Sequence, residues 1–468
     1  MFELAGQLEI RLDSGSGEVI ISSSRPLTAA RVFTGKTPAE VARQLPTLYS
    51  LCGTAQAAAC LAACERALGF APSAAVVSRR QALVDAETIK EHLWRLLLDW
   101  PRMLAPAAAS KAEPMGRRPA AMPRVMRAFM AMRQAQQAAG DPFRLDWEQA
   151  ERGAAVSIDA SALVDLVTEL ALGMAPAEWL EAVDSPSALQ RWAAATSTQP
   201  AGLVCAVLAQ GLASRGANAV ARLPAAPWLP LATALASADA DAFIAAPGWR
   251  QQCAETGPLA RVAAHPLITR LLTERGNGLL TRLAAFIVEL ALIATRLTVK
   301  MCGAEAPLDD GDHQAAHLTS NADVDTTHGA KANTGIETVA SASASASTST
   351  STGATATATA TAETDACHGV HADLASANLA IENPAQIGIG SAEAARGLLV
   401  HRVSIIDGRV AHYQILAPTE WNFHPQGVVA QGLAAIARSG AEGPELERLA
   451  RLYITAVDPC VDYQLSVS

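Results

Sequence analysis

The residues of this chain whose types and spacing suit chemistry gather near its C-terminal end. Arg396 stands just ahead of a run rich in strand formers, Leu398 to Ile406, and Pro418-Thr419 stand just past a second, Val410 to Ile415. Between the runs lies Asp407-Gly408, a strong hairpin signal because a two-residue primed turn needs positive φ at both positions. Closing that hairpin brings Arg396 at its entrance and Pro418-Thr419 at its exit toward a single point, where Cys460 also arrives. The result is a fixed cation, a hydroxyl and a thiol, and the thiol is a soft metal ligand.

Other residues with ligand chemistry carry weaker patterns. Cys60 and Cys64 are spaced i, i+4 in an alanine-rich stretch, where small-residue packing explains them better than metal binding. Cys205, Cys253 and Cys302 are isolated and read as core fillers. Cys367-His368 and His371 have a ligand-like spacing but fall inside a low-complexity tract. His92 follows Glu87 and Glu91 on a helical pattern, yet neither glutamate has the i, i+3 or i, i+4 spacing that shares a face with it, so a solvated or structural face is expected. Trp421-Asn422 reads as a buried indole with an asparagine closing a turn.

The motifs Glu-Ala-x-Arg-Gly-x-Leu-x-His from Glu393, Pro-Thr-x-Trp-Asn from Pro418 and Asp-Pro-Cys from Asp458 resemble the C-terminal half of nickel-iron hydrogenase large subunits. That family ends in Cys-x-x-Cys-x-x-His, whereas here the second cysteine position is Tyr463 and the histidine position is Ser466. The family's N-terminal counterpart is Gly-Arg followed by Cys-Gly-x-Cys-x-x-x-His. Running without a gap from Gly35-Lys36 to Gly69 sets Cys52 at the second cysteine, Tyr49 at the first and Gln56 at the histidine, with Ala30 near the place of an upstream glutamate. Pairing Cys52-Gly53 with the first Cys-Gly instead costs a gap on each side.

In the family four thiolates hold nickel, and two of them bridge to an iron with cyanide and carbonyl ligands. The resemblance leaves one thiolate at each end of this chain, Cys52 and Cys460, which removes the nickel set but still suits an iron whose remaining positions are filled by diatomic ligands. It keeps Arg396 as donor to a cyanide and Pro418-Thr419 as a backbone and hydroxyl contact. The chain therefore resembles the HupK/HoxV branch of hydrogenase assembly proteins. That implies a non-catalytic maturation scaffold or chaperone holding an Fe(CN)2(CO) unit, transiently and without nickel, before transfer to the hydrogenase large subunit. The implied partners are a small HypC-like chaperone, other maturation proteins and the large-subunit precursor. The resemblance also implies no tail of the kind that a maturation protease removes in the family, so no such processing is expected. Two alternatives stay open: a hydrogenase large subunit with an altered metal site, and a metal-free structural or regulatory subunit.

The elements that must position these residues are mainly helical. The expected fold is α+β, a hydrogenase large-subunit-like helical body with small β-hairpins. Leu8, Ile10 and Leu12 alternate ahead of Ser14-Gly15-Ser16-Gly17, with Val19 and Ile21 beyond it, and predict an N-terminal hairpin. A buried helix is expected over Ala55–Leu68 and an amphipathic one over Glu87–Trp100, stopped by Pro101. A loop is expected over Pro106–Pro123. Helices follow near Arg124–Ala139, Ala160–Leu172, Ala188–Ala195, Leu203–Ala213, Ala232–Ile244, Leu279–Lys300, Pro425–Arg438 and Glu445–Ala456. Residues 1–303 form the hairpin and helical body, 304–385 a disordered insert of Ala, Ser and Thr repeats, and 386–468 a motif block completing the same domain.

The 468 residues allow a large core, and eight cysteines without a secretory pattern read as reduced thiols in a cytoplasmic protein. A net charge of −9 argues against nucleic acid or an anionic membrane as partner. Glu289, Arg296 and Lys300 interrupt the most apolar run, which favours a buried helix over a membrane span.

Overall fold

In the computed structural model, which describes residues 6–104, 121–145, 157–225, 228–301 and 385–468, the two ends of the chain meet in one sheet. Strands β1 (Leu8–Leu12) and β2 (Val19–Ser23) form the expected antiparallel hairpin, with Leu8 opposite Ser23 and Leu12 opposite Val19. Leu8, Ile10 and Leu12 point into the core, as their alternation requires. The described residues contain two further strands, β3 (Ala221–Arg222) and β4 (Ala254–Glu255), paired in parallel. A meander of β5 (Gln386–Ala394), β6 (Gly397–Ile406) and β7 (Arg409–Leu416) follows. The last strand, β8 (Tyr463–Val467), lies parallel to β1 with Leu8 opposite Tyr463. Such a parallel pairing needs a long crossover, and here nearly the whole chain supplies it.

The meander confirms the central hairpin. Asp407 and Gly408 adopt φ of 50° and 71°, the left-handed pair that a primed turn demands. The strand β5 was not foreseen. It makes Ala395-Arg396 a second tight turn, closed where Ala394 faces Gly397. Gly397 has φ 135°, and a Cβ there would lie 2.5 Å from Thr256, so only glycine fits.

Helices α1 (Pro38–Leu48) and α2 (Gly53–Leu68) lead into the site. A reciprocal pair of bonds between Thr37 and Glu40 caps α1. Residues 35 and 36 bond to Val410 of β7, which seats this segment on the meander. The helix α2 lies directly on β5, at Gly388 and Gly390, where any Cβ would sit 2.0–2.2 Å from Ala63.

One expected boundary is wrong. Pro101 does not end the helix before it. Helix α3 (Ala74–Trp94) begins well upstream of Glu87, passes through a π-helical segment, Arg95–Asp99, and continues as α4 (Trp100–Leu104) with Pro101 inside. The i→i+5 turn displaces the carbonyl that a proline ring would strike in a regular α-helix. Of the solvated or structural face expected there, the structure shows a buried one, with Glu87, Glu91 and His92 all at most 8% exposed. The segment expected at Ala232–Ile244 is two helices, Trp228–Ala236 and Ala240–Ala245. The expected loop to Pro123 yields to α5 (Ala121–Ala138) at its end.

Helix α6 (Leu279–Met301) is buried through almost all of its first half and forms the centre of the core. After the meander come α7 (Pro418–Asn422), α8 (Val428–Ala437) and α9 (Gly443–Val457). Among the described residues no single helix is long and apolar enough to cross a membrane. The insert, with Cys302, Cys367, His368 and His371, lies outside the described residues.

Candidate metal centre

Cys52 ends a one-turn 3-10 segment, Ser50–Cys52, immediately before α2. Its position is fixed from α3: the Glu87 carboxylate accepts bonds from the backbone N–H groups of Thr54 (3.0 Å) and Ala55 (3.1 Å). A carboxylate there satisfies donors that every helix start leaves open and complements the helix dipole. Gln56, one turn into α2, points its Nε2 at the Cys52 sulfur, 3.7 Å away.

Cys460 arrives from the other end of the sequence. Helix α9 stops at Asp458, whose left-handed backbone (φ 65°, ψ 84°) turns the chain through Pro459 to Cys460. The two thiols interact directly. Their mutual hydrogen bond is the main reason that Cys460 is lowered to about 7 while Cys52 is raised, so that the pair readily holds one negative charge. Burial opposes ionisation of Cys460, and the charges of Arg396 and Arg25 favour it, as does the Thr419 hydroxyl beside it.

Arg396 sits in the β5–β6 turn and is 2% exposed. Burial works against its charge, and the charges of Asp458, Cys460 and Glu91 outweigh that cost. Its Nε donates to Asp458 (3.1 Å) and its Nη2 to Glu91 (3.0 Å). Asp458 also accepts from Arg95 at 2.6 Å, out of the π-helical segment. Nη1 of Arg396 is buried without a partner, and so are Oε2 of Glu420 and Oδ2 of Asp458. Buried polar atoms are almost always satisfied, so three orphans in one neighbourhood mark a place built for something more than protein.

The predicted residues Cys52, Cys460, Arg396 and Thr419 thus come together. Pro418 is buried at the first position of α7, where its missing N–H costs nothing, and it sets Thr419 in place. Asn422 is structural: it accepts from the backbone of Thr256 (3.0 Å) and donates to the Arg396 carbonyl (3.4 Å), locking the β5–β6 turn. Tyr49 lies near Arg25 and Cys52, whereas Tyr463 belongs to β8 and turns its hydroxyl toward Arg451 and Thr455. Cys60 and Cys64 are fully buried where α2 packs on the meander, as packing residues.

Several contributors escaped the sequence reading. Glu87 and Glu91 are spaced i, i+4 on one face of α3, a signal that pointed to a shared role, but neither aligns with His92. His92 instead bonds Glu289 of α6 at 2.7 Å. Arg25, just past β2, pairs with the buried Glu420 and faces both thiols; nothing local in the sequence distinguished it.

A pair of soft sulfur donors beside a fixed cation with a spare N–H suits a metal that needs only two protein ligands and carries its own anionic acceptors. Among the described residues no group of three or more His, Cys, Asp or Glu side chains is arranged to hold a metal.

Residues 228–460 match the family model described as nickel-dependent hydrogenase. Across its length the chain is 28% identical to the hydrogenase expression/formation protein HoxV of Cupriavidus necator, covering 98% of this chain and 95% of that one. It is equally 28% identical to the hydrogenase expression/formation protein HupK of Azotobacter vinelandii, with 99% of each covered. The chain is thus similar along its whole length to proteins named for hydrogenase expression and formation. Its fold is that of nickel-iron hydrogenase large subunits. The NAD+-reducing [NiFe]-hydrogenase in its H2-reduced state superposes with a TM-score of 0.52 at 14% identity, over 95% of this chain and 93% of that chain.

Proposed function

We propose that this chain is a non-catalytic scaffold that holds an Fe(CN)2(CO) unit between Cys52 and Cys460 while the nickel-iron cofactor of a hydrogenase is assembled. The observation that carries this reading is the unpartnered Nη1 of Arg396, buried among groups that include both thiols. An N–H with no protein acceptor, on a cation that cannot lose its proton, is suited to a cyanide nitrogen. The two cysteines supply the thiolates, and the lowered Cys460 makes one of them available near neutral pH. Thr419, beside Cys460, offers a second donor.

The names of the full-length relatives support the maturation role. A small HypC-like chaperone, other maturation proteins and the large-subunit precursor are the partners this reading calls for, in a cytoplasmic setting. The deciding experiment is infrared spectroscopy of protein purified anaerobically from cells that carry the maturation machinery. Cyanide and carbonyl stretches should appear with stoichiometric iron and no nickel, and Cys52→Ser or Cys460→Ser should remove them. Bands that survive the double variant would overturn the thiolate assignment, and hydrogen turnover by nickel-loaded protein would overturn the scaffold reading.

A further inference from the structure

Away from the thiol pair, Cys253 faces His424 with its sulfur 3.1 Å from Nδ1. The same Nδ1 accepts the backbone N–H of Gln426 at 3.0 Å. Two donors on one ring nitrogen fix the tautomer: Nδ1 carries the lone pair, and the Cys253 S–H points at it. Both residues are half-buried, so the sulfur has a basic partner on one side and access on the other. The chain holds Cys253 there by a tight turn, in which Trp249 and Gln252 bond each other while Arg250 and Gln251 take positive φ of 50° and 64°. Neither is a glycine, so the turn stores strain that regular backbone would avoid. Arg250 is exposed beside the indole of Trp249, which gives the rim a positive charge.

We propose that Cys253 and His424 form a reactive thiol–base pair whose substrate is a small anionic disulfide. In the exchange, the Cys253 sulfur attacks one sulfur of the disulfide as Nδ1 of His424 takes the thiol proton. A new S–S bond forms, the old one breaks, and the departing thiolate recovers the proton from the imidazolium. One disulfide is consumed and one mixed disulfide made, with no net oxidation. Burial pushes the Cys253 thiol above its ordinary range, so unassisted thiolate is scarce, and the base is what such an attack requires. The adduct would form on Cys253, against His424, which stands two residues beyond Asn422, the residue that locks the turn carrying Arg396. The inference itself stands on the dyad, independent of the metal reading.

Exposed Cys205, on the helix Gln199–Ala209, is an internal reference. The full chain, reduced and then treated with glutathione disulfide, is digested and the adducts at Cys253 and Cys205 are timed by mass spectrometry. The expected result is an adduct at Cys253 whose formation slows roughly tenfold or more in His424→Asn, while Cys205 is unchanged. Asparagine keeps an acceptor for Gln426 but is no base. In the wild type the Cys253 rate should stay nearly flat as pH falls from about 8 to about 7, whereas a free thiol slows ~tenfold per unit below its pKa. Absence of an adduct at Cys253, or a rate unaffected by the substitution, overturns the proposal. If His424→Asn unfolds, the buried Cys60 and Cys64 become labelled, and the wild-type pH profile decides alone: a tenfold fall per unit rejects the pair.

Discussion

Arg396 is held so that its charge is settled and its last donor is not. Asp458 and Glu91 take two of its N–H directions, and the geometry of the fork then dictates where Nη1 points. Lysine would keep the charge but not the fork. Arg396→Lys is therefore expected to fold yet to retain ~tenfold less iron after desalting, measured by elemental analysis, since a hydrogen bond to a charged group contributes about 1.5–3 kcal/mol. His401 provides a test of burial instead of ligand binding. It is fully buried, its Nδ1 meets the Tyr413 hydroxyl at 2.8 Å, and burial lowers its pKa to about 3. An unfolded histidine gains its proton near 6.5, so the unfolded state binds the proton first and stability falls as pH drops from about 6.5 toward 3. In His401→Gln the urea midpoint should change less between pH 7 and pH 5 than in the wild type; an unchanged difference would show that His401 is not held neutral.

The elements differ in how openly their sequences announced them. The β6–β7 hairpin was legible because Asp407-Gly408 can hardly do anything else, and Leu8, Ile10 and Leu12 announced β1 by strict alternation. Pro101 misled, because a π-helical turn that absorbs a proline has no local signature. Strand β5 was missed for a related reason. Its Gly388 and Gly390 are residues that strands ordinarily avoid, but they let α2 lie on the strand with backbone nearly touching backbone. Gly390→Ala should consequently lower stability by roughly 2 kcal/mol or more, read as a drop in denaturant midpoint, whereas Gly408→Asn, in an open turn that tolerates positive φ, should change it little.

At the scale of the molecule, the candidate site was legible as a pairing of two distant motifs, and its supporting ring was not. Cys52, Arg396, Thr419 and Cys460 carry types that stand out in a sequence. Arg25, Glu91 and Glu420 joined it only through the fold, which sets them in ion pairs with little or no exposure around the thiols. The pairing of β8 with β1 holds this arrangement together, and a proline in β8 would remove one of the ladder donors. Ser466→Pro is expected to leave helix content nearly intact by circular dichroism while Cys460 alkylates several-fold faster; an unchanged rate would mean that β8 does not restrain the thiol.

That ladder also sets a timetable. During synthesis Cys52 emerges long before its sulfur partner and must wait for every element between them to be made. No nascent fragment that stops short of Cys460 has both sulfurs to offer, so any cargo they grip can be received only after everything between the two motifs has been made, a checkpoint written into the order of the codons.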